Sequence, residues 1–157
     1  MVGSFDYKLA DRPSVNNTYR LVMGTKALWK FEPADFVRFT KIRISCGDCI
    51  NSIKFTYLNT QGEAIDSPTY GGNGGTNHSI ILSEDEEIIE MGATIGVYDN
   101  NVVITSLFFG TNKGLIYGPY GMNEGLPLPL IKGKFIGFYG ICGDDINYIA
   151  ATVQPYN

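Results

Sequence analysis

The residues best placed to do chemistry are two carboxylates and a carboxamide, Asp144, Asp145 and Asn147, in the run Gly137-Phe138-Tyr139-Gly140-Ile141-Cys142-Gly143-Asp144-Asp145-Ile146-Asn147-Tyr148. A strand that stops at closely spaced glycines and opens a short polar loop exposes backbone N–H groups beside short side chains. That combination lets a rigid β scaffold grip hydroxyl-rich ligands. Glycoside hydrolysis would also use two carboxyls, but facing each other across a cleft about 5–10 Å wide, whereas neighbouring strand residues diverge. His78 is the only histidine and sits between Asn77 and Ser79 in a segment read as an exposed turn, remote in sequence from both aspartates. A nucleophile–base–acid triad would have to be built around it. No residue is therefore assigned a catalytic role, and the chain does not read as an enzyme.

The thiols invite a second chemistry. Cys46-Gly47-Asp48-Cys49 has CxxC spacing, and redox use would need a thiolate favoured by a setting such as a helix N-terminus. Here the motif falls at a β turn, so the two cysteines read as small apolar residues packing in a strand pair, and Cys142 reads the same way. Three cysteines and one histidine make a poor tetrahedral zinc set. No metal and no cofactor are expected. An odd cysteine count argues against a disulfide framework and for a reducing, cytoplasmic compartment. The alternative is a secreted protein whose signal has been replaced by Met1.

The elements that must carry these residues follow from composition. A chain of 157 residues with 19 glycines, 10 tyrosines and 9 phenylalanines favours many short strands joined by tight turns around one core. The net charge of −4, with no basic cluster denser than Lys41 to Arg43, argues against nucleic acid or an anionic membrane surface as partner. No run reaches membrane-spanning length, and residues 1–8 lack the apolar stretch of a secretory signal. Residues 1–19 show no hydrophobic periodicity and read as an arm. The folded domain is expected over residues 20–157.

Phe36 to Ile44 and Ile53 to Tyr57 alternate apolar and polar residues on either side of a Gly47-Asp48 turn, as paired strands do. Glycine-dense Tyr70 to Gly75 turns the chain before Ser79 to Leu82. Ser83 and Glu86 have capping-box spacing. The β-branched residues that follow, and then Gly92, argue for a solvated bend between strands instead of a helix. Further strands are expected at Ala93 to Tyr98, Val102 to Phe109, Gly114 to Tyr117, Leu126 to Leu130, Lys134 to Tyr139 and Ile146 to Gln154. Tyr117-Gly118-Pro119-Tyr120-Gly121 reads as a turn that sets hairpin register. An all-β sandwich, barrel or prism is what remains.

Several blocks of the chain together resemble the jacalin-related lectins, most closely the mannose/glucose type. They are Lys41-Ile42-Arg43-Ile44-Ser45, Gly71-Gly72-Asn73-Gly74-Gly75-Thr76, Glu87-Ile88-Ile89-Glu90-Met91-Gly92, Ile104 to Asn112, Tyr117 to Gly121 and Gly133-Lys134-Phe135-Ile136-Gly137-Phe138-Tyr139-Gly140. The resemblance implies a β-prism I of three four-stranded antiparallel Greek-key sheets with pseudo-threefold symmetry. It also implies metal-independent sugar binding at one end and frequent assembly into homo-oligomers, dimers or larger. The family's GxxxD loop falls on Gly143, Asp144, Asp145, Ile146 and Asn147, with backbone N–H groups near Asp144, Asp145 and Ile146 facing the sugar. Asn147 stands where the pattern has an aspartate. The family's N-terminal glycine loop maps to Val22 to Ala27, including Gly24 and Thr25, with one glycine where several are usual. The third loop maps to Val97 to Asn101, including Tyr98, Asp99 and Asn100, of which Tyr98 is the candidate for stacking on a sugar face.

The departures weaken the implied site. A carboxylate accepts from two hydroxyls with charge assistance, about 1.5–3 kcal/mol each, against about 0.5–1.5 kcal/mol for neutral pairs. A millimolar site has only about −4 kcal/mol in all. Two functions remain. One is binding of mannose/glucose-type glycans or glycoproteins, amplified by oligomerisation; the other is a prism kept as a structural or protein-interaction domain after the sugar site decayed.

Overall fold

The alternating segments fold as the sequence pattern demands, with one refinement: alternation breaks where a strand carries an extra residue. The structure is a computed structural model and describes residues 26–156. The expected arm, the domain start near Arg20, and Gly24 and Thr25 lie outside the described residues. Thirteen strands follow one another without a helix among the described residues. The first six are β1 (Ala27–Phe31), β2 (Phe36–Cys46), β3 (Ile50–Asn59), β4 (Ala64–Asp66), β5 (Tyr70–Gly71) and β6 (Thr76–Ile81). Then come β7 (Ile88–Tyr98), β8 (Asn101–Thr111), β9 (Ile116–Gly121), β10 (Leu126–Pro127), β11 (Ile131–Lys132), β12 (Lys134–Cys142) and β13 (Ile146–Gln154). In β2 the pairing with β3 skips Val37 and Thr40. Each is a β-bulge that shifts the phase of the pattern, so Phe39, Ile42 and Ile44 all point inward although their spacing is uneven.

Three antiparallel sheets result, ordered β1-β12-β13, β10-β7-β8-β9 and β4-β3-β2-β6, with β11 added beside β7 and β5 beside β3. Two of them thus keep the expected four-strand path and gain a two-residue strand. The first has three strands among the described residues. Each sheet turns one face to a common core, and the aromatic residues of all three meet there. Phe55 of β3 stacks on Phe138 of β12 at 4.5 Å between ring centroids, Phe39 approaches the same ring at 5.2 Å, and Phe109 of β8 meets it edge-on at 6.0 Å. Such pairs add about 0.5–1.5 kcal/mol to their area burial. They fix the three long hairpins, β2–β3, β7–β8 and β12–β13, against each other.

Three sequence expectations are corrected by the strand assignments. Gly92 lies inside β7, where a Cβ would run into the Phe108 ring, so its role is close approach within a strand. His78 is exposed, but in β6 and beside Tyr120 at 5.4 Å, not in a turn. The Tyr117 to Gly121 motif is strand, not turn: β9 is a sheet edge, where a proline costs no ladder bond.

The acidic run 83–87 is a bend, as expected, yet Glu86 is only 2% exposed. Its Oε1 accepts from the Ser83 N–H at 3.1 Å and the Ser83 hydroxyl at 3.2 Å; its Oε2 accepts from Thr111 and Tyr117, both at 2.9 Å. Burial alone would raise the carboxyl's pKa, but these donors outweigh it and hold it below the ordinary glutamate value. A lowered folded pKa contributes stability above the unfolded value near 4.3 and loses it as pH falls through the folded value. Glu86→Gln is expected to cost about 1–3 kcal/mol at pH 7 by thermal unfolding, because a carboxamide turns donors toward donors. It is also expected to flatten the stability loss of the native protein below about pH 4.

Candidate functional site

The β12–β13 hairpin closes through a turn in which the Gly143 N–H donates to the Asp145 carbonyl at 3.0 Å. Beyond it the ladder pairs Cys142 with Ile146 and Ile141 with Tyr148, so Asn147 is an extra residue with no partner across the strand pair. A bulge re-aims its side chain. The Asn147 Nδ2 donates to the Val102 carbonyl of β8 at 2.8 Å. A carbonyl only accepts, so that contact fixes which end of the carboxamide faces Val102 and turns Oδ1 the other way. Asn147 is 8% exposed, and its Oδ1 is buried without a hydrogen-bond partner among the described residues.

What surrounds that oxygen comes from three stretches of chain. A Cβ built on Gly143 would stand 3.9 Å from Asn147 Oδ1 and 3.3 Å from Lys26 Cγ, which sets the start of the described chain beside the loop. The Lys26 Nζ donates to Asn101 Oδ1 at 3.0 Å, and Asn101 Nδ2 donates to the Asp99 carbonyl at 3.0 Å. Asp99 and Asn100 both have positive φ, 51° and 63°, in the two-residue turn between Tyr98 and Asn101. Asn and Asp tolerate the left-handed conformation at both central positions that such a hairpin needs. Tyr98, Asp99, Asn100 and Asp144 are exposed. The Val97–Asn101 and Gly143–Asn147 loops named from sequence therefore meet at one end of the molecule with Lys26, a described residue of the N-terminal loop, and the Val102 carbonyl is added to them. No sequence signal marks a backbone carbonyl.

The Asp145 carboxylate is engaged outside its own hairpin. Its Oδ1 accepts from Asn51 Nδ2 at 2.7 Å, on the β2–β3 hairpin. That hairpin is the loop's internal twin: Cys46-Gly47-Asp48-Cys49-Ile50-Asn51 repeats Cys142-Gly143-Asp144-Asp145-Ile146-Asn147 with one substitution. The Gly47 N–H donates to the Cys49 carbonyl at 3.0 Å, and Cys46 pairs with Ile50 while Ser45 pairs with Ser52, leaving Asn51 as the bulge. The repeat was legible in the sequence, and a search for internal similarity finds it.

Comparison with known proteins agrees with this geometry. The family model for the Jacalin-like lectin domain matches residues 23–152. The chain belongs to the jacalin-related lectins. Horcolin of Hordeum vulgare is 31% identical over 123 residues, covering 76% of this chain and 84% of that protein. The jacalin-related lectin Calsepa of Calystegia sepium is 30% identical over 139 residues, covering 82% and 86%. Among solved structures, wild-type Malaysian banana lectin superposes with a TM-score of 0.71 at 29% identity, over 83% of this chain and 97% of that one. A mannose binding jacalin related lectin from Ananas comosus gives 0.70 at 28%, over 83% and 97%. The family is one of lectins, and the three-sheet architecture is its β-prism.

The thiols around the twin turn are free and buried at Cys46 and Cys49. Burial, then the Asp145 charge, pushes the Cys49 thiol up to about 12, and burial also raises Cys46 and Cys142. That is the opposite of a redox-active setting. Iodoacetamide at pH 8 is expected to leave Cys46 and Cys49 unmodified in the folded protein and to modify all three cysteines in denaturant, as read by mass spectrometry. Rapid alkylation of native Cys49 would contradict this.

Proposed function

We propose that this chain is a lectin that binds mannose/glucose-type glycans at the end of the prism where Lys26, the Asp99–Val102 turn and the Gly143–Asn147 loop meet. The observation that carries the reading is the meeting of these three stretches around Asn147, whose Oδ1 has no hydrogen-bond partner among the described residues. Leaving a buried acceptor without a donor costs about 1–3 kcal/mol. A sugar hydroxyl supplies the missing donor, while backbone N–H groups at the Asp144–Ile146 turn supply donors to neighbouring hydroxyls. Relatives support the ligand class: artocarpin has been solved with Me-α-mannose, and Calsepa with a biantennary N-glycan.

The acceptor is neutral, so each site is weak. The carboxamide gives one oxygen, with its nitrogen spent on Val102. A monovalent affinity near millimolar is about −4 kcal/mol, and association of several copies on one glycoprotein is the route to useful avidity. The same neutral acceptor is the observation that favours the competing reading, a prism retained for protein contacts after its sugar site was lost.

Isothermal titration with methyl α-mannoside separates the two. The native chain is expected to bind, and Asn147→Ala to weaken binding about tenfold, the effect of losing one good hydrogen bond. Its melting temperature should change little, since the substitution removes one neutral side-chain hydrogen bond, to the Val102 carbonyl. Asn147→Asp is expected to bring no gain, because it sets a carboxylate against the Val102 carbonyl. Absence of native binding together with binding created by Asn147→Asp would establish the lost-site reading instead.

A further inference from the structure

The two copies of the Cys-Gly-Asp motif end in chemically identical asparagines with different fates. The Asn147 oxygen has no partner among the described residues, whereas the Asn51 carboxamide is spent on the other loop. Its Nδ2 donates to Asp145 Oδ1 at 2.7 Å and lies 3.7 Å from Cys49 Sγ. Asn51 is 94 residues from Asp145 in sequence, so the contact ties two hairpins of different sheets. Its backbone takes part as well. The Asn51 carbonyl accepts from the Gly72 N–H at 3.0 Å, and Gly72 lies so close under Asp144 that a Cβ there would collide with the Asp144 carbonyl.

We propose that Asn51 is a positioning residue for the glycan site, clamping the Asp145 carboxylate so that the Gly143–Asn147 loop is held in its binding geometry; this rests on the glycan-binding reading of that loop. Asp145 is fixed at two points. Its carbonyl closes the turn through the Gly143 N–H, and its carboxylate is anchored by Asn51. Without the anchor the carboxylate loses a charge-assisted donor and turns to water. The turn two residues ahead of Asn147 is then free to shift, and a misplaced polar group in a small-ligand site loses its hydrogen bond by distance alone. The substitution that separates the twins follows from this. The motif position that is Asp145 in one copy is Cys49 in the other, and only a carboxylate in the glycan loop makes the clamp with Asn51's donor.

The test uses the full chain with Asn51→Ala, Asn51→Asp and the exchange pair Asn51→Asp with Asp145→Asn. The readouts are amide hydrogen exchange at Asp145, Ile146 and Asn147 and titration with methyl α-mannoside. Asn51→Ala is expected to speed exchange at the loop and weaken binding about tenfold or more, the effect of one lost charge-assisted bond, while exchange in β7 and β8 stays native. Asn51→Asp alone sets two carboxylates together and should be worse; the exchange pair restores donor and acceptor and should return both readouts to within about twofold. An exchange pair no better than Asn51→Asp, or Asn51→Ala with native loop exchange, would overturn the clamp. Asn51→Ala decides the matter alone if Asn51→Asp does not fold. Should the native chain bind no methyl α-mannoside, the glycan reading fails by itself, and loop exchange still judges the clamp.

Discussion

A β-bulge leaves one residue without a neighbour across the strand pair, and its side chain must find partners outside its own hairpin. In this protein that constraint falls twice on asparagine, immediately after two matching turns. Asn147 reaches the carbonyl of Val102 in one neighbouring sheet, and Asn51 reaches Asp145 in another. These two contacts join the ends of the three long hairpins. A site assembled from them inherits the order of the prism without belonging to any single strand.

The shared aromatic core makes that joining possible. Phe55, Phe138 and Phe109 come from different sheets, and the Phe55 and Phe109 rings stand 4.5 and 6.0 Å from that of Phe138. A hairpin anchored at its middle by such a ring has little freedom at its tip, so polar contacts at the tips can be short and specific. Lys26, Asn101, Val102, Gly143 and Asn147 meet on these terms, at separations that a loosely packed loop cluster would not hold. The chemistry at the meeting point is modest: one neutral oxygen aimed inward, with carboxylates held aside or in solvent.

Much of the fold was legible because period-2 alternation survives intact in Ile53 to Tyr57 and between the bulges of Phe36 to Ile44, and because the family blocks stand in order along the chain. The misreadings share one cause. Gly92, Pro119 and Glu86 have local preferences for breaks, turns and solvent, and tertiary context overrode each: a ring over Gly92, an edge strand around Pro119, four donors around Glu86. Within the site, the family resemblance led to Asn147 and to the Val97–Asn101 loop. The partners of Asn147 and Asp145 left no such trace. A backbone carbonyl carries no sequence signature, and a contact over 94 residues follows from sheet packing, which alternation does not specify.

The most direct test of Asn147 Oδ1 as the sugar's acceptor is a two-dimensional amide spectrum of labelled protein titrated with methyl α-mannoside, observing backbone and side-chain amides together. Shifts should concentrate on Gly143 to Asn147 and the Asp99 to Val102 turn, with the Asn147 side-chain amide among the largest. Saturable shifts that bypass these residues, or none at all at high millimolar sugar, would contradict it.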